Sequence, residues 1–166
     1  MSEKIEFVLD GETVYAEKGQ SIWEVANGQG LKIPHLCHKP KPGYRPDGNC
    51  RACMVEIEGE RTLAASCIRE PQPGMVVNSA TQRAEAARKM VIEMLVTDQP
   101  DREVAHDKSS HFWDMVELND VHESRLPRLE QDCVPILDDS HVAMSVSLDA
   151  CIQCGLCVRA CREVQV

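Results

Sequence analysis

The chain has 166 residues, 43% hydrophobic and only 4% aromatic, so it forms one domain or two small ones with a core of Val, Ile, Leu, Met and Ala. A net charge of −9 argues against nucleic acid as a partner, and no apolar run is long enough to span a membrane. Nine cysteines, an odd number, follow an N-terminus without signal-peptide character, which favours metal ligation in a reducing cytoplasm over a disulfide scaffold.

The first third reads as a small α+β unit. Residues 5–9 form a strand, Asp10-Gly11 a turn, and residues 13–16 the return strand. Ser21-Ile22-Trp23-Glu24 is a capping box opening a short helix that ends at Gly28 and Gly30. Residues 54–57 and 61–65 flank Glu58-Gly59-Glu60 as a hairpin, and residues 75–77 make a last strand. A second helix runs from 80 to about 96. Its stripe of Ala84, Ala87, Val91, Met94 and Leu95 reads as core packing.

Residues 98–141 carry 12 Asp/Glu against 4 Lys/Arg. A short helix is expected at 111–118, and the rest reads as an irregular linker with a solvated acidic face. The segment from 148 to 161 is dense in cysteine.

Cys37, Cys50, Cys53 and Cys67 have the spacing C-x12-C-x2-C-x13-C. A [2Fe–2S] cluster needs four thiolates, two per iron, and a C-x2-C pair on a tight loop suits part of such a cage. Pro34, Pro40, Pro42, Gly43, Pro46 and Gly48 predict a loop whose backbone N–H groups are free to face sulfur. Lys32, Lys39, Lys41, Arg45 and Arg51 surround it, opposed only by Asp47, which suits an anionic cluster. The alternative is a four-cysteine zinc site, but zinc ribbons pair two C-x2-C knuckles and here there is one. His35 and His38 flank Cys37. Four cysteines already complete the set, so both read as loop or surface residues.

Cys151, Cys154, Cys157 and Cys161 have the spacing C-x2-C-x2-C-x3-C. In two-cluster ferredoxins the first three bind one [4Fe–4S] cluster and the fourth ligates its neighbour. Apolar Ile152, Leu156 and Val158 are expected to shield the cluster. No second copy of the motif follows, so either the chain is a fragment, the favoured reading, or Cys133 or Cys161 completes a lone cluster. Cys133 otherwise reads as a lone buried or free cysteine.

The stretches Ile33-Pro34-His35-Leu36-Cys37, Pro46-Asp47-Gly48-Asn49-Cys50-Arg51-Ala52-Cys53-Met54-Val55-Glu56 and Leu148-Asp149-Ala150-Cys151-Ile152-Gln153-Cys154, extended by residues 157–165, resemble a known family. They are similar to the N-terminal part of the large iron–sulfur subunit of NADH dehydrogenase. They resemble still more the start of the alpha subunit of NAD-dependent molybdenum- or tungsten-containing formate dehydrogenases. The resemblance implies a [2Fe–2S] ferredoxin-like β-grasp domain over 1–79, a helix and acidic linker over 80–145, and the first half of a bacterial-type [4Fe–4S] ferredoxin domain over 146–166. It also implies relay of electrons from formate oxidation at a molybdopterin site to a flavin- and NAD-binding partner subunit. Molybdopterin, FMN and NAD would lie elsewhere in that complex. All-thiolate clusters imply potentials on the order of −400 mV.

Many members carry a further [4Fe–4S] cluster on one histidine and three cysteines after the second helix. Here the corresponding residues 97–102 contain no cysteine, so His106 and His111 are not read as its ligands. The pterin-binding catalytic domain is not in these residues, so they hold no catalytic residue. Rival readings are the iron–sulfur diaphorase subunit of an NAD-reducing hydrogenase, a free-standing ferredoxin, and a zinc-stabilised interaction module without redox role.

Overall fold

The computed structural model describes residues 4–121, 123–127 and 137–165. Strands β1 (Ile5–Leu9) and β2 (Glu12–Ala16) form an antiparallel hairpin around Asp10 and Gly11, whose φ angles of +50° and +87° are those a two-residue hairpin turn requires. Alternation turns Phe7, Leu9, Val14 and Ala16 to the core. Helix α1 (Ile22–Gly28) opens on the expected capping box. The Glu24 N–H donates to Ser21 Oγ at 3.2 Å and the Ser21 N–H donates to the Glu24 carboxylate at 2.8 Å.

Strands β3 (Met54–Ile57), β4 (Ala64–Ala65) and β5 (Val76–Asn78) complete a five-stranded sheet in the order β2-β1-β5-β3-β4. Only β1 and β5 run parallel. The expected strand over 61–65 pairs only at its last two residues. Beyond them the chain turns so that the Ser66 and Arg69 carbonyls accept from the Trp23 and Ile22 N–H groups, which closes the sheet onto the start of α1. The core between sheet and α1 includes Phe7, Leu9, Ile22, Trp23, Val55, Ile57 and Val77.

Helix α2 (Gln82–Thr97) is capped by Thr81. Its buried face is centred on Ala84, Arg88, Ile92 and Glu93; of the expected stripe, Ala87, Val91 and Leu95 are half-buried and Met94 is exposed. The face is rotated because two charged side chains on it find hydrogen-bond partners inside the fold. Arg88 donates to the carbonyls of Met54 (3.1 Å) and Ser79 (2.7 Å), and Glu93 accepts from Arg125 at 2.7 Å.

The acidic stretch is more than a linker. Helix α3 (His111–Leu118) falls where expected and buries Phe112, Trp113, Met115 and Val116 in a second core with Leu36, Ala52, Ile92 and Val121. Strands β6 (Leu137–His141) and β7 (Met144–Ser147) form a hairpin where irregular chain was expected. Its side chains are largely exposed, so it leaves no apolar periodicity to read. Helix α4 (Leu156–Arg159) continues into a π-helical turn over Ala160–Val164. No helix among the described residues is long and apolar enough to cross a membrane.

Candidate metal centre

Four cysteines separated by up to thirty positions in sequence meet at one end of the sheet. Cys37 lies on the loop after α1, Cys50 and Cys53 bracket a tight turn leading into β3, and Cys67 follows β4. The loop from 31 to 53 contains no helix or strand, yet it buries Ile33, Leu36, Cys37, His38, Ala52 and Cys53. Trp23 holds its entry: Nε1 donates to the Ile33 carbonyl at 3.0 Å, and the indole packs edge-on against the rings of His35 (4.5 Å) and His38 (4.7 Å). Ser66 holds the far side, donating from Oγ to the Cys53 carbonyl at 2.7 Å.

Cys37, Cys53 and Cys67 are fully buried and Cys50 is half-buried. Their side chains are neighbours in the order Cys50–Cys37–Cys67–Cys53, each in hydrogen-bonding contact with the next. These contacts pull the Cys37 thiol far below its ordinary range, and contact with Cys67 lowers Cys53 to about 7. The same contacts, with burial, push Cys50 and Cys67 up. Backbone N–H groups of Asn49 and Cys50 face the Cys37 sulfur, those of Ala52 and Cys37 face Cys50, and that of Cys67 faces Cys53. The expected N–H groups facing sulfur are therefore present.

Four thiolates packed this way repel one another unless cations lie between them. No three His, Cys, Asp or Glu side chains among the described residues gather around the position of a single ion. The chain of sulfurs instead offers a pair at each end, Cys37 with Cys50 and Cys53 with Cys67. That is a donor set suited to a two-iron cluster.

One expectation about the surroundings changes. His35 and His38 lie on the loop, as read, but not at the surface: His38 is buried and His35 half-buried because both pack on Trp23. Burial lowers His35 to about 4 and lowers His38 as well, so both are neutral. His111 reaches this loop from α3, with Nε2 at 2.7 Å from the His35 carbonyl.

The second cysteine run is more open. Cys151, Cys157 and Cys161 are exposed and Cys154 is half-buried, all as free thiols. Gln153 and Gly155 have φ of +53° and +71°, which wraps the backbone tightly around Cys154. Ile152 packs against the second core and Leu156 is half-buried, but Val158 is 58% exposed. The buried side chain of this helix is Arg159, which is 1% exposed and which motif spacing does not single out. Cys133 lies outside the described residues.

Residues 2–82 match the 2Fe-2S iron–sulfur cluster binding domain, and the chain is thus an α+β protein with a [2Fe–2S]-binding domain in its first half. It is also similar along nearly its whole length to parts of larger complexes. An NADH-quinone oxidoreductase subunit of Rhizobium meliloti (strain 1021) is 32% identical over 96% of this chain and 19% of that protein. The NADP-reducing hydrogenase subunit HndD of Solidesulfovibrio fructosivorans is 30% identical over 95% of this chain and 27% of that protein. A chain in a crystal structure of an NAD+-reducing [NiFe]-hydrogenase superposes with a TM-score of 0.80 at 30% identity, over 94% of this chain and 65% of that one. The chain is homologous to the N-terminal region of these subunits and spans about a fifth to a quarter of the curated relatives' length. It is an iron–sulfur electron-transfer module similar to them, and its homologues are parts of oxidoreductase complexes.

Proposed function

We propose that Cys37, Cys50, Cys53 and Cys67 hold a [2Fe–2S] cluster, that Cys151, Cys154 and Cys157 hold a [4Fe–4S] cluster, and that Cys161 ligates a neighbouring [4Fe–4S] cluster. Bound there, the clusters pass electrons singly through the protein. The observation that carries this reading is the meeting of four cysteines from separate loops, with backbone N–H groups facing their sulfurs.

The relay serves a multi-subunit, NAD-linked oxidoreductase. On the sequence resemblance, the reaction is formate oxidation to carbon dioxide at a molybdopterin domain, with electrons leaving through a flavin- and NAD-binding partner subunit. A second reading, the diaphorase subunit of an NAD-reducing hydrogenase, is supported by the likeness to the hydrogenase chain over 94% of this chain. In both, the domains run 1–79, 80–145 and 146–166, and the compartment is the cytoplasm. The sheet order β2-β1-β5-β3-β4 supports a β-grasp for the first domain.

The test is iron and acid-labile sulfide per chain, with low-temperature EPR of the anaerobically reduced protein. About two to six irons and a [2Fe–2S] signal are expected. A faster-relaxing signal reports the second cluster. Zinc without iron would sink the relay. Purifying the complex from its source then separates the two settings: molybdenum or tungsten with formate oxidation in one, nickel with hydrogen oxidation in the other.

A further inference from the structure

Arg159 sits within the second cysteine run but spends its hydrogen bonds on the first. Its Nη2 donates to the carbonyl of Cys37 at 2.5 Å and to that of Cys154 at 3.3 Å. Its Nη1 donates to the Arg45 carbonyl at 3.2 Å and lies 3.0 Å from Asp47 Oδ2. The guanidinium is buried, and three of its partners are residues of the loop between Cys37 and Cys50. Around it, Glu163 accepts from Arg45 at 3.2 Å, and Val164 packs on the open side of Gly43.

A buried guanidinium is costly unless its donors are met. Here four acceptors meet its two terminal nitrogens while the buried Nε has no partner, and Nη2 is shared by the carbonyls of a cysteine from each set. Charge at that point also matters. An iron–sulfur cluster gains negative charge on reduction, so a fixed cation beside the Cys37 peptide favours the reduced form.

We infer that Arg159 is a positioning residue that locks the second cluster's loop against the first and holds the [2Fe–2S] potential up. The inference rests on the two-cluster reading above. It also specifies a direct polar link between the two sets, from the Cys37 carbonyl through one N–H₂ group to the Cys154 carbonyl.

The experiment compares the anaerobically prepared full-length protein with Arg159→Met, Arg159→Lys and, as a control for surface charge, Arg162→Met; the Arg162 side chain is 61% exposed. EPR-monitored redox titration gives the [2Fe–2S] midpoint potential, and broadening of that signal in the fully reduced state gives the magnetic interaction between the clusters. Arg159→Met is expected to shift the potential to more negative values, the more so because Asp47 loses its partner, and to weaken the broadening. Arg159→Lys keeps the charge but not the planar fork, so it retains most of the potential and loses broadening. Arg162→Met changes neither.

Arg159→Met with both clusters present and both readouts at wild-type values overturns the inference. If Arg159→Met assembles no cluster, Arg159→Lys decides: weaker broadening supports the inference and wild-type broadening overturns it. A wild-type protein without iron would instead overturn the cluster reading itself, and the inference with it.

Discussion

Trp23 Nε1 donates to the main-chain carbonyl of Ile33 at 3.0 Å, and this bond ties the helix behind the sheet to the loop that delivers Cys37. Nothing regular supports that loop, so its path depends on a few such anchors. Trp23→Phe keeps most of the ring packing against His35 and His38 but leaves a buried carbonyl without its donor. The expected cost is about 1–3 kcal/mol. Anaerobic thermal unfolding should show a lower Tm with the [2Fe–2S] EPR signal retained at low temperature. An unchanged Tm would show that the bond contributes nothing to the loop.

Gly48 makes the turn between Asp47 and Cys50 at a φ of +65°. A Cβ there would stand 2.6 Å from Ile68 Cδ1 and 3.2 Å from its Cγ2. Gly48→Ala therefore carries two penalties, a left-handed alanine worth roughly 1–2 kcal/mol and a collision with Ile68. Truncating the neighbour separates them. Iron retained per chain should fall in Gly48→Ala and recover only partly in Gly48→Ala with Ile68→Ala. Full recovery would mean that the backbone conformation costs nothing.

Arg88 and Arg83 test burial rather than charge. Both lie on α2 and both donate to main-chain carbonyls, but Arg88 is buried and the Arg83 side chain is 49% exposed. Arg88→Met strands the carbonyls of Met54 and Ser79 and should cost about 1–3 kcal/mol. Arg83→Met should cost about 0–1 kcal/mol, as expected of a solvent-exposed pair with Glu56. Denaturant unfolding of the two variants measures the difference, and equal losses would remove the distinction drawn here.

Local signals were readable where one stretch of chain decides its own structure. The Asp10-Gly11 turn and the Ser21–Glu24 capping box need no distant partner, and the helix at His111–Leu118 shows its apolar residues within one short stretch. The cysteine spacings were readable because ligand geometry constrains them directly. What the sequence hid depends on contacts made across the fold. The stripe on α2 predicted Met94 inside, but burial of Arg88 is set by carbonyls at Met54 and Ser79, far away in sequence. His38 looks like a surface residue until Trp23 is placed on it. Arg159 looks like one charge among cysteines, and only the approach of the Cys37 loop shows why it is buried. The β6–β7 hairpin buries too little to leave a pattern.

Removal of iron gives the last expected outcome. In the loop from 31 to 53 the thiols of Cys37, Cys50 and Cys53 are crowded together, and Lys39, Lys41, Arg45 and Arg51 stand exposed around them. Binding energy at a cluster is then folding energy for the loop, so chelation under reducing conditions should loosen it before it loosens the sheet. Trypsin reads this out, with a constraint the sequence imposes. Lys39, Lys41 and Arg45 are each followed by proline and resist cleavage, which leaves Lys32–Ile33 and Arg51–Ala52 as the reporting bonds. Ile33 and Ala52 are buried while the loop is closed. The iron-free protein should be cut first at these two bonds, ahead of Lys89 within α2, and the iron-loaded protein should resist at both. Identical digestion with and without iron would mean that the loop holds its shape unaided, and that Trp23 and the second core, rather than the cluster, order it.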